Sequence, residues 1–138
     1  MAIEHLYTIL CEYLIQASDG KISAVGMFHN IQTPKLPATR DSMGVVVAFR
    51  GDEGDAYDIA LEGPEGLHRP IYDGIVTSSA VRHEHEQATN VFAAVMHPAV
   101  FDKEGVYRVV LRSGTHEVHT YTFGVFQGAG AREEQRDG

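Results

Sequence analysis

The feature that most constrains this chain is its punctuation. Short apolar segments rich in Val, Ile, Tyr and Phe recur along nearly its whole length, separated by Gly, Asp and Pro. Segments this short, with turn formers between them, read as strands joined by turns. The opening segment, Ile3 to Gln16, is ambiguous by itself. Leu6, Leu10 and Leu14 fall at helical spacing, whereas Ile3, Tyr7, Ile9, Cys11, Tyr13 and Ile15 share one face of a strand. The "ASDGK" that follows decides for a strand, because Asp19-Gly20 supplies the positive φ of a tight turn into "KISAVGMFHNI". The two segments are therefore expected to form a hairpin.

Further along, "QTPKLPATRDS" contains Pro34 and Pro37, which cannot donate to a ladder, and reads as a crossing loop. "MGVVVAFRG" reads as a central strand, and "YDIALEGPEG" as a second strand closed by a turn at Pro64 to Gly66. "LHRPIYDG" reads as an irregular edge segment broken by Pro70. "IVTSSAVRHEHEQ" and "TNVFAAVM" follow, with a break near Gln87 to Thr89.

The last part is a closing hairpin with Tyr107, Val109 and Leu111 on one face of a strand and a turn at Ser113-Gly114. A plain two-residue turn pairs Leu111 with His116 and points Val118, Thr120 and Thr122 inward. The stronger apolar set is Tyr121, Phe123 and Val125. A bulge or a three-residue turn at Arg112 to Gly114 reconciles the two.

About nine strands and no helix of any length imply an all-β fold of two packed antiparallel sheets. "DKEGVY" sharpens this: an acidic residue, Gly105 and then Tyr107, just ahead of a strand, resembles the tyrosine corner of immunoglobulin-like sandwiches. The expectation is one immunoglobulin-like antiparallel β-sandwich over residues 1–127. The Gly-rich, then charged residues 128–138 form a tail that cannot pack.

Composition narrows the function classes. With 138 residues the chain supports one core, and no apolar run approaches the roughly 20 residues of a membrane-spanning helix. Glu4 and Glu12 interrupt the apolar N-terminus, and no basic region precedes it, so no secretion signal is read. A single cysteine, Cys11, rules out an internal disulfide and fits a reducing cytoplasm. It is expected to be a buried, inert thiol. The net charge of -8, with no cluster of Lys and Arg, opposes nucleic acid and anionic membrane surfaces alike.

With the strands placed, residues 5 to 126 resemble a small bacterial family of single-domain proteins. The resemblance rests on "CEYLIQASDGKISAVGMFHNI", "PKLPATRDSMGVVVAFRG" and "GVYRVVLRSGTHEVHTYTFGV", none of which is a catalytic motif. It implies a compact β-sandwich with no established activity and no functional residues to carry over.

The densest cluster of potential metal ligands is "VRHEHEQ". On a strand His83 and His85 share a face, roughly 7 Å apart, and can chelate one ion. A metal centre needs a third ligand, for which His97, His116 and His119 are the candidates. The pattern is similar to the His-x-His of cupins but departs from it, since Ala88, Thr89 and Asn90 stand where the following Glu belongs. Four adjacent ionisable groups cost more to desolvate than to leave wet, so a polar, partly exposed stretch is expected. "GDEGDAYD" lacks the ligand alternation of a calcium loop and would need Asp73 or Asp102 to complete a site. Ser78 and Ser79 have no nucleophile-elbow context. No metal, cofactor or catalytic residue is assigned. The expected function is that of a non-catalytic, cytoplasmic β-sandwich acting through protein contacts or small-ligand binding, with a homodimer expected. The alternative is a metal-dependent, cupin-like enzyme centred on His83 and His85.

Overall fold

A computed structural model of the chain describes residues 3–77 and 88–128. Eleven strands follow in chain order: β1 (Glu4–Gln16), β2 (Ile22–Phe28), β3 (Ile31–Thr33), β4 (Ala38–Arg40), β5 (Met43–Gly51), β6 (Ala56–Glu62), β7 (His68–Ile75), β8 (Ala88–Met96), β9 (Ala99–Phe101), β10 (Gly105–Ser113) and β11 (His116–Gln127). The one helical element among them is a single 3-10 turn, Pro64–Gly66. The strands make a four-stranded sheet ordered β2-β1-β5-β8 and a five-stranded sheet ordered β3-β11-β10-β6-β7. β4 and β9 form a separate pair, so the segment expected to be only a crossing loop holds a short strand.

The nine strands of the two sheets and their alternation, β5 in one, β6 and β7 in the other, β8 back, β10 and β11 across again, make an immunoglobulin-like sandwich. The tyrosine corner is present: the Tyr107 hydroxyl donates to the Lys103 carbonyl at 2.7 Å. Its ring is buried against Phe101 and Phe123, with centroids 5.1 and 5.7 Å away. Gly63 gives the ring room, because a Cβ there would lie 2.6 Å from Tyr107 Cδ2.

The expectation of wholly antiparallel sheets is corrected at one strand. β3 runs parallel to β11, Val125 opposite Ile31 and Gln127 opposite Thr33. Only His29 and Asn30 separate β2 from β3, too short a link to reverse the chain as it crosses between sheets. Asn30 Oδ1 fixes the crossing by accepting the Gly124 amide at 2.8 Å.

The core lies between the sheets. β5 supplies Met43, Val45, Val47 and Phe49, β6 supplies Ile59 and Leu61, and β10 supplies Tyr107, Val109 and Leu111, all facing inward. Each large side chain so buried stabilises the fold by roughly 1.5 to 3 kcal/mol. The closing hairpin resolves its register conflict inside β11. Ser113 pairs with His116 across a two-residue turn, and Leu111 pairs with His119 while Arg112 pairs with Glu117. Val118 is the extra residue, and with it inserted Val118, Tyr121, Phe123 and Val125 all pack on the core.

Candidate functional site

β1 is 13 residues long, but β5 accompanies it only as far as Cys11. Beyond that point β1 and β2 continue as a two-stranded ribbon, and such ribbons twist more strongly than broad sheets. Two glycines let this one turn back. Gly26 has φ 72, and the Glu12 side chain fills the space its Cβ would take, 2.6 Å from Oε1. Gly44 pairs with Cys11, and a Cβ there would lie 2.7 Å from Cys11 Sγ and 2.9 Å from Leu14 Cγ. The bare backbone at Gly44 therefore allows Leu14 to lie against the outer face of the four-stranded sheet. The Ser42 hydroxyl donates to the Glu12 carbonyl at 2.8 Å and secures the bend.

The returning ribbon encloses a groove of about 500 Å³. The sheet contributes Tyr7, Ile9, Val46 and Val91, and the hairpin contributes Gly20, Lys21, Ile22, Ala24 and Met27. Apolar side chains dominate it, and many stay open to solvent: Met27 is 67% exposed, Val91 47% and Tyr7 45%. On the back of the hairpin Tyr13 and Ile15 are about half exposed. Six of the ten exposed large hydrophobic residues among those described belong to this hairpin and sheet. Lys21 is the one charged lining residue, and it pairs with Asp19 at 3.7 Å. Such a lining can receive apolar groups but holds no acid–base pair or nucleophile.

The outer face of the five-stranded sheet is built differently. Glu62 bonds Arg112 at 2.8 Å and His68 at 3.1 Å, with Arg108 at 3.8 Å. The Arg112 hydrogen bond, assisted by His68, lowers the Glu62 carboxyl below its ordinary value against the opposing effect of burial. Around Glu62 these side chains form a charged ladder across β7, β6 and β10, while a second groove of about 720 Å³ runs along β6 and β7, where Tyr72 and Ile75 are exposed.

A third feature joins the sheets near one end. His5 of β1 and His119 of β11 stack with ring centroids 3.6 Å apart and planes 4° from parallel, and His5 Nε2 bonds Thr8 Oγ1 at 2.8 Å. Burial, and then the neighbouring His119, push the His5 pKa below its ordinary value.

The residues singled out in the sequence are distributed as follows. His83, His85, Ser78 and Ser79 lie outside the described residues, as does the tail beyond residue 128. His119 stacks on His5, which pairs with Phe49, whereas His97 follows Met96, which pairs with Met43 at the other end of β5. Six residues of strand, about 20 Å, separate those ends, so His97 and His119 are not brought together. Among the described residues no three potential ligands converge on a metal position. In "GDEGDAYD" the Asp52 amide donates to Asp55 Oδ2 at 3.1 Å within its own turn. Asp102 sits by the opposite end of β6, and Asp73 pairs with Asp58. Cys11 is fully buried, and burial raises its thiol pKa. The groove itself was missed in the sequence, although its signal was there: the more continuous apolar stripe of β1, Tyr7 to Ile15, faces away from the core.

A family model described as a family of unknown function (DUF6941) matches residues 6–126. No curated protein matches the chain. Among solved structures, a β-glucosidase from Listeria innocua in complex with glucose is similar at 10% identity and a TM-score of 0.48. The match covers 93% of this chain and 16% of that enzyme. An immunoglobulin-like protein from Pseudomonas aeruginosa is similar at 11% identity and a TM-score of 0.42, over 91% of this chain and 97% of that one. Neither transfers a ligand or an activity to this chain.

Proposed function

The chain belongs to that family of unknown function, DUF6941, and on that premise we propose that it is a non-catalytic binding module whose groove beneath the β1–β2 hairpin receives apolar side chains of a protein partner. The observation that carries this reading is the gathering of six exposed large hydrophobic residues on the β1–β2 hairpin and its sheet, around a groove with a single charged lining residue. Exposed apolar side chains gathered on one hairpin and the sheet beneath it mark an interaction site. Small apolar ligands fit the same chemistry. Among the described residues no helix is long and apolar enough to cross a membrane. A cytoplasmic setting is part of this reading, supported by the lone buried thiol, which suits a reducing compartment.

The test begins with the full chain as bait and a partner identified from it, purified and titrated by calorimetry. Met27→Lys and Ile22→Glu should each weaken binding about tenfold or more at unchanged melting temperature. Equal binding by both variants would show that the groove is not the site. The rival metal-enzyme reading, centred on His83 and His85, predicts stoichiometric metal in protein purified without a histidine tag, which elemental analysis detects.

A further inference from the structure

Among the described residues four strands border the two sheets: β2 and β8 in one, β3 and β7 in the other. A bordering strand offers unpaired N–H and C=O groups at every second residue, and proteins guard such edges with charge, proline, bulges or brevity. β3 is three residues long. β7 carries Arg69, Pro70 and Asp73, and its ladder with β6 is interrupted between Ile59 and Ala60. β2 is distorted at Gly26 within the folded-back ribbon. β8 has none of these devices. Its nine residues, "ATNVFAAVM", contain no charge, proline or glycine. They pair with β5 from Ala88 opposite Gly51 to Met96 opposite Met43 without a shift in register.

We propose that a second copy of this chain pairs edge to edge along β8, joining two four-stranded sheets into one continuous sheet. Only another strand completes such an edge, and β8 is complementary to itself. Two copies related by a two-fold axis normal to the sheet run antiparallel. Registers that keep like faces together set the outward row Val91, Ala93 and Val95 beside its own copy. Ala93 and Ala94 keep the middle of the seam free of bulky side chains. Charge selects this edge as well. Each chain carries -8, so two copies repel, and the repulsion is least where the approaching strands bear no charge. Salt should therefore tighten the dimer. Pairing would also bring the two grooves, each lined by Val91, onto one side of the assembly.

Sedimentation equilibrium on the full chain at low and high salt tests the proposal, together with hydrogen exchange of the β8 amides at low and high protein concentration. A dimer is expected, tighter at high salt, with β8 amides that exchange more slowly as concentration rises. Ala93→Lys, or Val95→Lys should the first not fold, places a charge from each copy in the seam. It should weaken association about tenfold or more and reduce the concentration dependence of exchange, with a melting temperature equal to the parent's at low concentration, where both are monomeric. Met27→Lys, in the groove, should leave the dimer intact. A monomer at high concentration overturns the proposal. So does a dimer that survives Ala93→Lys and dissociates with Met27→Lys, an outcome that would leave the groove standing as a binding face.

Discussion

Tyr107 makes two separable contributions, a hydroxyl bonded to Lys103 and a ring buried between Phe101 and Phe123. Tyr107→Phe removes the first and should cost about 1 kcal/mol, whereas Tyr107→Ala also leaves a cavity and should cost roughly 3 to 5 kcal/mol. Equal losses in urea melts of the two variants would mean that the ring contributes nothing. His5 supplies a pH dependence. Its folded pKa lies below its ordinary 6.5, chiefly through burial, so the folded state binds fewer protons than the unfolded chain as pH falls past that value. The contribution is complete above about 6.5 and is lost on acidification toward the folded pKa. Glu62 is also lowered, from 4.5, so its contribution fades only at still lower pH. The two are therefore separable. The melting temperature of His5→Gln should vary less between pH 7.5 and 5.5 (about two units spanning the imidazole range) than that of the parent chain. Identical pH profiles would remove His5 as the origin.

The β1–β2 hairpin shows how far an element can be read from sequence. Its strands and its turn at Asp19-Gly20 were legible because alternation and turn chemistry are local: Gly20 has φ 90, and Asp19 Oδ1 accepts the Lys21 amide at 3.0 Å. The fold-back was not legible, since it depends on Gly44, which meets Cys11 and Leu14 only after β5 has paired with β1. The same holds for the bulge at Val118. The mismatch between apolar stripes announced an extra residue, but its position within β11 follows from packing against β10 and β6. Gly44 is thus where the hairpin's path can be tested. Gly44→Val places two methyl groups into Leu14 and Cys11 and should cost about 1 to 3 kcal/mol as an overpacked site. It should also lift the hairpin off the sheet. Trypsin cleavage at Lys21, faster than in the parent chain under native conditions, would report that lifting, and an unchanged cleavage rate would show that the hairpin keeps its place without the glycine.

At the scale of the whole molecule, the sandwich places its apolar residues in two populations of different consequence. Between the sheets, Leu10, Val47 and Phe49 are at most 1% exposed and hold the fold together. On the hairpin and the sheet's outer face, Tyr13, Ile15 and Met27 are 48%, 52% and 67% exposed and contribute little to it. If the second population exists for a partner, it should be removable. Replacing Tyr13, Ile15 and Met27 together by Thr, Thr and Gln should shift stability by no more than about 0.5 kcal/mol per site. Retention on a hydrophobic-interaction column should fall markedly, because the hairpin loses its three most exposed apolar side chains. Leu10→Ala, a single change in the first population, should cost about 2 to 5 kcal/mol and leave that retention nearly unchanged in the folded protein. Were the triple variant as destabilised as Leu10→Ala, the hairpin would be a second core of the monomer, and its apolar surface would need no partner to explain it.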